Sequence, residues 1–165
     1  MQQARVLLLL VLAHTSAHAQ RLSQLPGTTQ HEAVMTARGP FDVKVIPQPP
    51  DDSAGGPFSR LFLDKVFHGD LEATSKGQMM AARTAVEGSA AYVALELVTG
   101  ALNGRHGSFV LQHTGRMRTG TPPTLSVTVV PDSGTDQLSG IRGTMTINNA
   151  GGKHSYEFEY TSVGL

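Results

Sequence analysis

Ser89 to Met117 reads SAAYVALELVTGALNGRHGSFVLQHTGRM. Its first arm, Ser89 to Thr99, places Val93, Leu95 and Leu97 on one face and Tyr92, Ala94 and Glu96 on the other. Ala and Leu would also suit a helix, but Val93, Val98 and the flanking Gly88 and Gly100 favour a strand. Asn103-Gly104 is a strong two-residue turn signal. Beyond it Phe109, Leu111 and His113 alternate with Val110, Gln112 and Thr114, the period-two pattern of a half-buried strand. The face of Phe109 and Leu111 is expected to point inward. Two alternating runs about one Asn-Gly make a β-hairpin, and the rest of the chain follows the same rule.

Upstream, Phe41, Val43 and Val45 alternate with Asp42 and Lys44, and prolines and glycines from Pro47 to Pro57 then open a loop. Leu61, Leu63 and Phe67 alternate with Arg60, Asp64 and His68. After a turn at Gly69-Asp70, Leu71, Ala73 and Ser75 alternate with Glu72, Thr74 and Lys76. Gln78 to Val86 reads either as a continuing irregular strand or as a short connector, with one or two helical turns as the competing pattern. Downstream, Leu125 to Val129 and Leu138 to Ile147 flank a turn at Pro131–Thr135, and His154, Tyr156, Phe158 and Tyr160 line one face of the last strand. About eight strands joined by short turns predict an all-β fold, a closed or nearly closed antiparallel barrel. Eight strands enclose a space that side chains fill or that holds one small ligand.

Five segments, in order, carry a resemblance: Phe67–Gly77, Gly88–Glu96 leading to Thr99-Gly100, Gly107–His113 with Gly115, Val129–Thr135, and Gly152–Tyr156 with Tyr160. Together they resemble the bacterial proteins of domain-of-unknown-function family 3224 (DUF3224), over roughly Met35 to Tyr160. The resemblance implies a compact barrel similar to that of allene oxide cyclase and, more distantly, the calycins. It implies no activity and supplies no catalytic residues. Members of that family typically begin near the position of Met35, so the residues ahead of it are a departure.

Those residues read as an export leader. Arg5 supplies a positive start, Val6 to Ala13 is an apolar run too short to span a bilayer, and Ala17-His18-Ala19 is a small-x-small cleavage site. The expected organisation is a signal peptide over 1–19, a linker over 20–34 and one barrel domain over 35–165, exported to the periplasm or medium. Translation from Met35 would instead leave the protein in the cytoplasm.

Composition narrows function by exclusion. Thirteen Lys and Arg balance thirteen Asp and Glu, and there is no Trp, which argues against a nucleic-acid partner. The absence of Cys removes disulfides, thiolate metal sites and thiol catalysis. No later segment is long and apolar enough for a membrane-spanning helix. No nucleophile elbow surrounds Ser108, Ser133 or Ser155, and no phosphate-cradling glycine loop precedes a helix. His68, Asp70 and Glu72 offer metal-ligand types, but the turn at Gly69 breaks their shared face, so neither a metal nor a cofactor is expected.

Three ionisable residues stand out on these strands. Glu96 shares a face with Tyr92, and His113 with Phe109 and Leu111. Inside an apolar barrel either group would be suited to acid–base work; the plainer reading makes each a satisfied polar group at a barrel end or rim. Lys65 is in register with Leu61, Leu63 and Phe67. It would either be buried against Glu72 or Glu96 or, the commoner outcome, reach out to the rim. The reading that follows is a binding module for a small apolar ligand, contacted by Tyr92, Phe109, Leu111, His113 and Tyr156. The alternatives are an isomerase or cyclase using Glu96 or His113, and a structural or interaction domain with a filled interior. A non-enzyme is the preferred reading, and a homo-oligomer is compatible with it.

Overall fold

The structure is a computed structural model, described here for residues 33–50 and 55–162. The leader and all but the last two residues of the linker lie outside the described residues.

Eight strands follow one another in sequence: β1 (Met35–Pro47), β2 (Phe58–Phe67), β3 (Leu71–Arg83), β4 (Ala90–Leu102), β5 (Arg105–Arg118), β6 (Thr121–Val129), β7 (Arg142–Ala150) and β8 (Lys153–Thr161). Each pairs antiparallel with the next, and β1 pairs with β8, so the sheet closes into a barrel. The expected eight-stranded antiparallel barrel is therefore present. Asn103 and Gly104 join β4 to β5 with φ of 48° and 77°, the two positive values that a type I′ hairpin turn requires. The segment from Gln78 to Arg83 continues β3 in register with β4, ending at Arg83 opposite Ala90.

Alternation decides the interior. Phe109, Leu111 and His113 point inward, as expected, and all three are buried. On β4 the inward set is Ala94, Glu96 and Val98, while the aliphatic Val93, Leu95 and Leu97 lie on the outer wall, 49–56% exposed.

The two ends of the barrel differ. One end is solidly packed by Phe67, Leu71, Leu102, Phe109 and Phe158. Phe158 stacks on Phe109 at 5.6 Å and on Tyr160 at 5.2 Å. A short 3-10 turn at Asp136–Leu138 lies over this end and buries Leu138, with Ile141 behind it. The connection between β6 and β7 reaches that position by hydrogen-bonding along β5: Val130 N donates to Val110 O at 2.8 Å and Thr135 N to Ser108 O at 2.9 Å. As a result, β6 and β7 meet in a single registered pair, Thr128 with Thr144.

Tyr156 pins the packed end. Its hydroxyl accepts from Leu71 N at 2.8 Å and donates to the His68 carbonyl at 3.0 Å, so one side chain of β8 satisfies both sides of the turn between β2 and β3. Burial, outweighing the Leu71 hydrogen bond, raises its phenol pKa above the ordinary range, with the Asp70 charge adding to the rise.

Candidate functional site: a charged layer beneath an open cavity

Midway along the barrel the packing changes character. Lys65 of β2, Ser75 of β3, Glu96 of β4 and His113 of β5 point into one layer, and all four are buried. The register explains the meeting. Lys65 stands opposite Ser75, and Glu96 opposite Gly77. Between them β3 presents one small side chain and one residue with none. A Cβ at Gly77 would lie 3.1 Å from Glu96 Cβ and 2.8 Å from the Leu95 carbonyl, so the glycine leaves room for Glu96 to lie across β3.

Lys65 Nζ donates to Glu96 Oε2 at 2.6 Å, and Ser75 Oγ donates to Glu96 Oε1 at 2.5 Å. The ammonium also lies over the rings of Phe41 and Phe67, 5.3 and 5.6 Å from their centroids, within cation–π range. His113 Nε2 sits 3.1 Å from Glu96 Oε2, but the ring is turned so that this nitrogen makes no well-directed hydrogen bond. Burial alone would raise the Glu96 carboxyl. The adjacent His113 ring, the Lys65 ammonium and the Ser75 hydroxyl outweigh it and bring the pKa down to about 2. Glu96 is thus a carboxylate at neutral pH.

Lys65 therefore does not reach the rim. Of its two expected partners, Glu96 is the one it meets; Glu72 faces outward and is exposed. Neither Glu96 nor His113 is a rim group.

On the far side of the layer the barrel is open. A cavity of about 680 Å³ runs from Lys65 and His113 to the mouth, between walls that include Val45, Leu61, Met79, Tyr92 and Ile147. Tyr92 lies across Gly115, its partner on β5; a Cβ there would sit 2.1 Å from the ring. Burial, and then the Glu96 charge, raise the Tyr92 phenol pKa. His154 reaches the same cavity from β8, its ring 5.2 Å from that of Phe41.

The five residues read from sequence as ligand contacts divide between the two halves. Tyr92 and His113 line the cavity. Phe109, Leu111 and Tyr156 belong to the packed core. Lys65, Phe41 and His154 line the cavity without having been counted as contacts. The shared alternation of Lys65 with Leu61, Leu63 and Phe67 was the signal available for it.

The remaining histidines are dispersed. His68 Nε2 is 3.2 Å from Asp42, and Asp70 accepts from Arg38 N at 2.8 Å, so the His68–Asp70 motif holds the β1–β2 end together. Among the described residues no cluster of three or more His, Asp or Glu could hold a metal ion, and no helix is long and apolar enough to cross a membrane.

A second concavity, about 1370 Å³, lies over the outer wall of β2 to β5. Neither Lys65 nor His113 lines it. Exposed Phe62, Met80, Val93, Leu95 and Leu97 do.

A model of the family described as "Protein of unknown function (DUF3224)" matches residues 37–160, which takes in all eight strands except the first two residues of β1 and the last of β8, and the whole charged layer. The chain is a DUF3224 protein. A crystal structure of a DUF3224 protein of unknown function from Shewanella oneidensis MR-1 is 46% identical, with a TM-score of 0.73. The similarity covers 81% of this chain and 100% of that one. No curated protein matches the chain. Membership bears out the resemblance read from the five segments, and the DUF3224 barrel brings no assigned activity with it.

Proposed function

We propose that this DUF3224 barrel is a binding module that takes a small apolar molecule into its open half, with the charged layer as the floor. The observation that carries this reading is the division of the interior: one end filled, the other a cavity of about 680 Å³, within the roughly 300–1,000 Å³ typical of small-molecule sites. Mostly apolar walls with a few convergent polar groups are the composition such sites share. The filled-barrel reading describes only the packed half. The isomerase reading draws less support at Glu96, because a carboxyl held at about 2 has no proton to give at neutral pH and is a weak base. The experiment is uptake of the neutral fluorescent probe N-phenyl-1-naphthylamine. Wild type should bind it with one-to-one stoichiometry, and Ala81→Trp, which fills the mouth, should not. Equal uptake by both would overturn the cavity reading.

The outer wall supports a second reading, self-association. Register aligns Ile46, Phe62, Gln78 and Leu95 in one cross-strand row, with Leu97 and Val93 in the rows on either side. Contiguous exposed apolar surface marks contact sites. At its border Lys76 and Asp64 pair at 2.7 Å. The border therefore carries both signs of charge, which leaves room for a two-fold axis that brings Lys76 of one copy to Asp64 of the other. Export is supported by the leader features from Arg5 to Ala19; the mass of the mature protein, beginning at Gln20 or at Met35, tests it.

A further inference from the structure

We infer that the molecule taken up is an amphipathic carboxylic acid, held head-down by Lys65 and His113, and that its binding draws one proton onto His113. This rests on the cavity reading above and specifies its ligand.

The floor is rich in donors. An ammonium carries three N–H groups and accepts nothing. One of the three from Lys65 goes to Glu96, and Lys65 also lines the cavity. His113 Nε2 is buried with no directed hydrogen bond. Ser75 spends its proton on Glu96. Within the layer Glu96 is the sole acceptor-only group, and both of its oxygens are engaged. The chemistry that complements surplus donors is an acceptor-only group, which a carboxylate is. The apolar walls above specify the remainder of the molecule.

Charge balance supplies the proton. With His113 neutral, Lys65 and Glu96 cancel. A second carboxylate would leave one net negative charge buried, which is strongly unfavourable. The ionisable groups around the cavity are Lys65 on β2, Arg83 on β3, Tyr92 and Glu96 on β4, His113 on β5, His154 on β8, and Glu87 beyond β3. Of these, Lys65 is already paired with Glu96, Arg83 is always charged, Glu87 and Arg83 are exposed, and His154 Nε2 is engaged with Asn149 at 3.2 Å. His113 is the ionisable group of the layer whose buried nitrogen is left without a directed partner. Protonated, it sets two cations against two carboxylates.

The test uses the full chain and two probes of equal length, decanoate and decanol, by titration calorimetry at pH 8 in buffers of different ionisation enthalpy. Decanoate should bind with uptake of about one proton per molecule, and decanol with none. His113→Gln should weaken decanoate tenfold or more, and decanol by a much smaller factor. In the wild-type protein, the His113 ring nitrogens should move to imidazolium ¹⁵N shifts on addition of decanoate, a readout that needs no variant. Decanol binding as tightly as decanoate, or decanoate binding without proton uptake, would overturn this inference and leave the cavity reading standing. Uptake that persists in His113→Gln would place the proton on the ligand and overturn it too. Failure of both probes to bind would remove the cavity reading along with it.

Discussion

Lys65 and Glu96 meet at 2.6 Å although their strands, β2 and β4, are not neighbours. They join across β3, over Ser75 and Gly77, so this contact ties three strands together inside the barrel. Losing one member strands the other as a buried charge. Lys65→Met or Glu96→Gln alone should each cost about 3–5 kcal/mol, while the double variant should recover much of the loss. Urea melts of the four proteins give the coupling directly. Additive losses would mean that the pair does not interact as drawn.

The same carboxylate sets an acid limit. Its folded pKa, about 2, lies below the ordinary carboxyl value of 4.5. A depressed carboxyl stabilises the fold above its unfolded pKa, and that contribution fades as pH falls through the folded one. The window is therefore from about pH 4.5 down to 2. Wild-type stability should fall across this window more steeply than that of Glu96→Gln, by an order of 3 kcal/mol in total. Parallel curves from chemical denaturation at stepped pH would refute the assignment.

Tyr156 joins β8 to the turn after β2 through one hydroxyl. Tyr156→Phe keeps the ring, including its edge contact with Phe67 at 5.7 Å, and deprives Leu71 N–H and the His68 carbonyl of their partner. The expected loss is about 1–3 kcal/mol, with faster amide exchange at Leu71. A melting curve unchanged from wild type would show that water replaces the hydroxyl at no cost.

Leu95 stands near the centre of the exposed apolar wall, 56% exposed. If that wall joins two copies, Leu95→Lys should convert a dimer into a monomer in sedimentation velocity without altering the circular dichroism spectrum. A wild-type protein that sediments as a monomer at high concentration would end the self-association reading.

Much of the barrel was legible in the sequence. Alternation located the strands, Asn103-Gly104 fixed a hairpin, and Phe109, Leu111 and His113 pointed to the interior. Direction was harder on β4. There the more aliphatic face, Val93 to Leu97, lies outside, and the inward face carries the ionised Glu96. Alternation gives two faces and does not label them when the buried face is itself polar. The charged layer was legible one residue at a time. What was not legible was that Lys65, Glu96 and His113 share one height in the barrel, because height depends on the stagger of three ladders, which no single strand reveals. For the same reason Phe109, Leu111 and Tyr156 read as ligand contacts, although they sit on the packed side of that layer.

The lone pair between Thr128 and Thr144 has a mechanical meaning. Every other junction in the closed ring is a longer ladder, so its thinnest seam lies between β6 and β7. Leu125 and Ile147, one on each side of that seam, also line the cavity. A guest wider than the resting bore would widen the ring here at the expense of very few backbone bonds, while the plug around Leu138 holds the opposite end shut. On the cavity reading, girth, more than length, is then the dimension in which the barrel would tolerate variety.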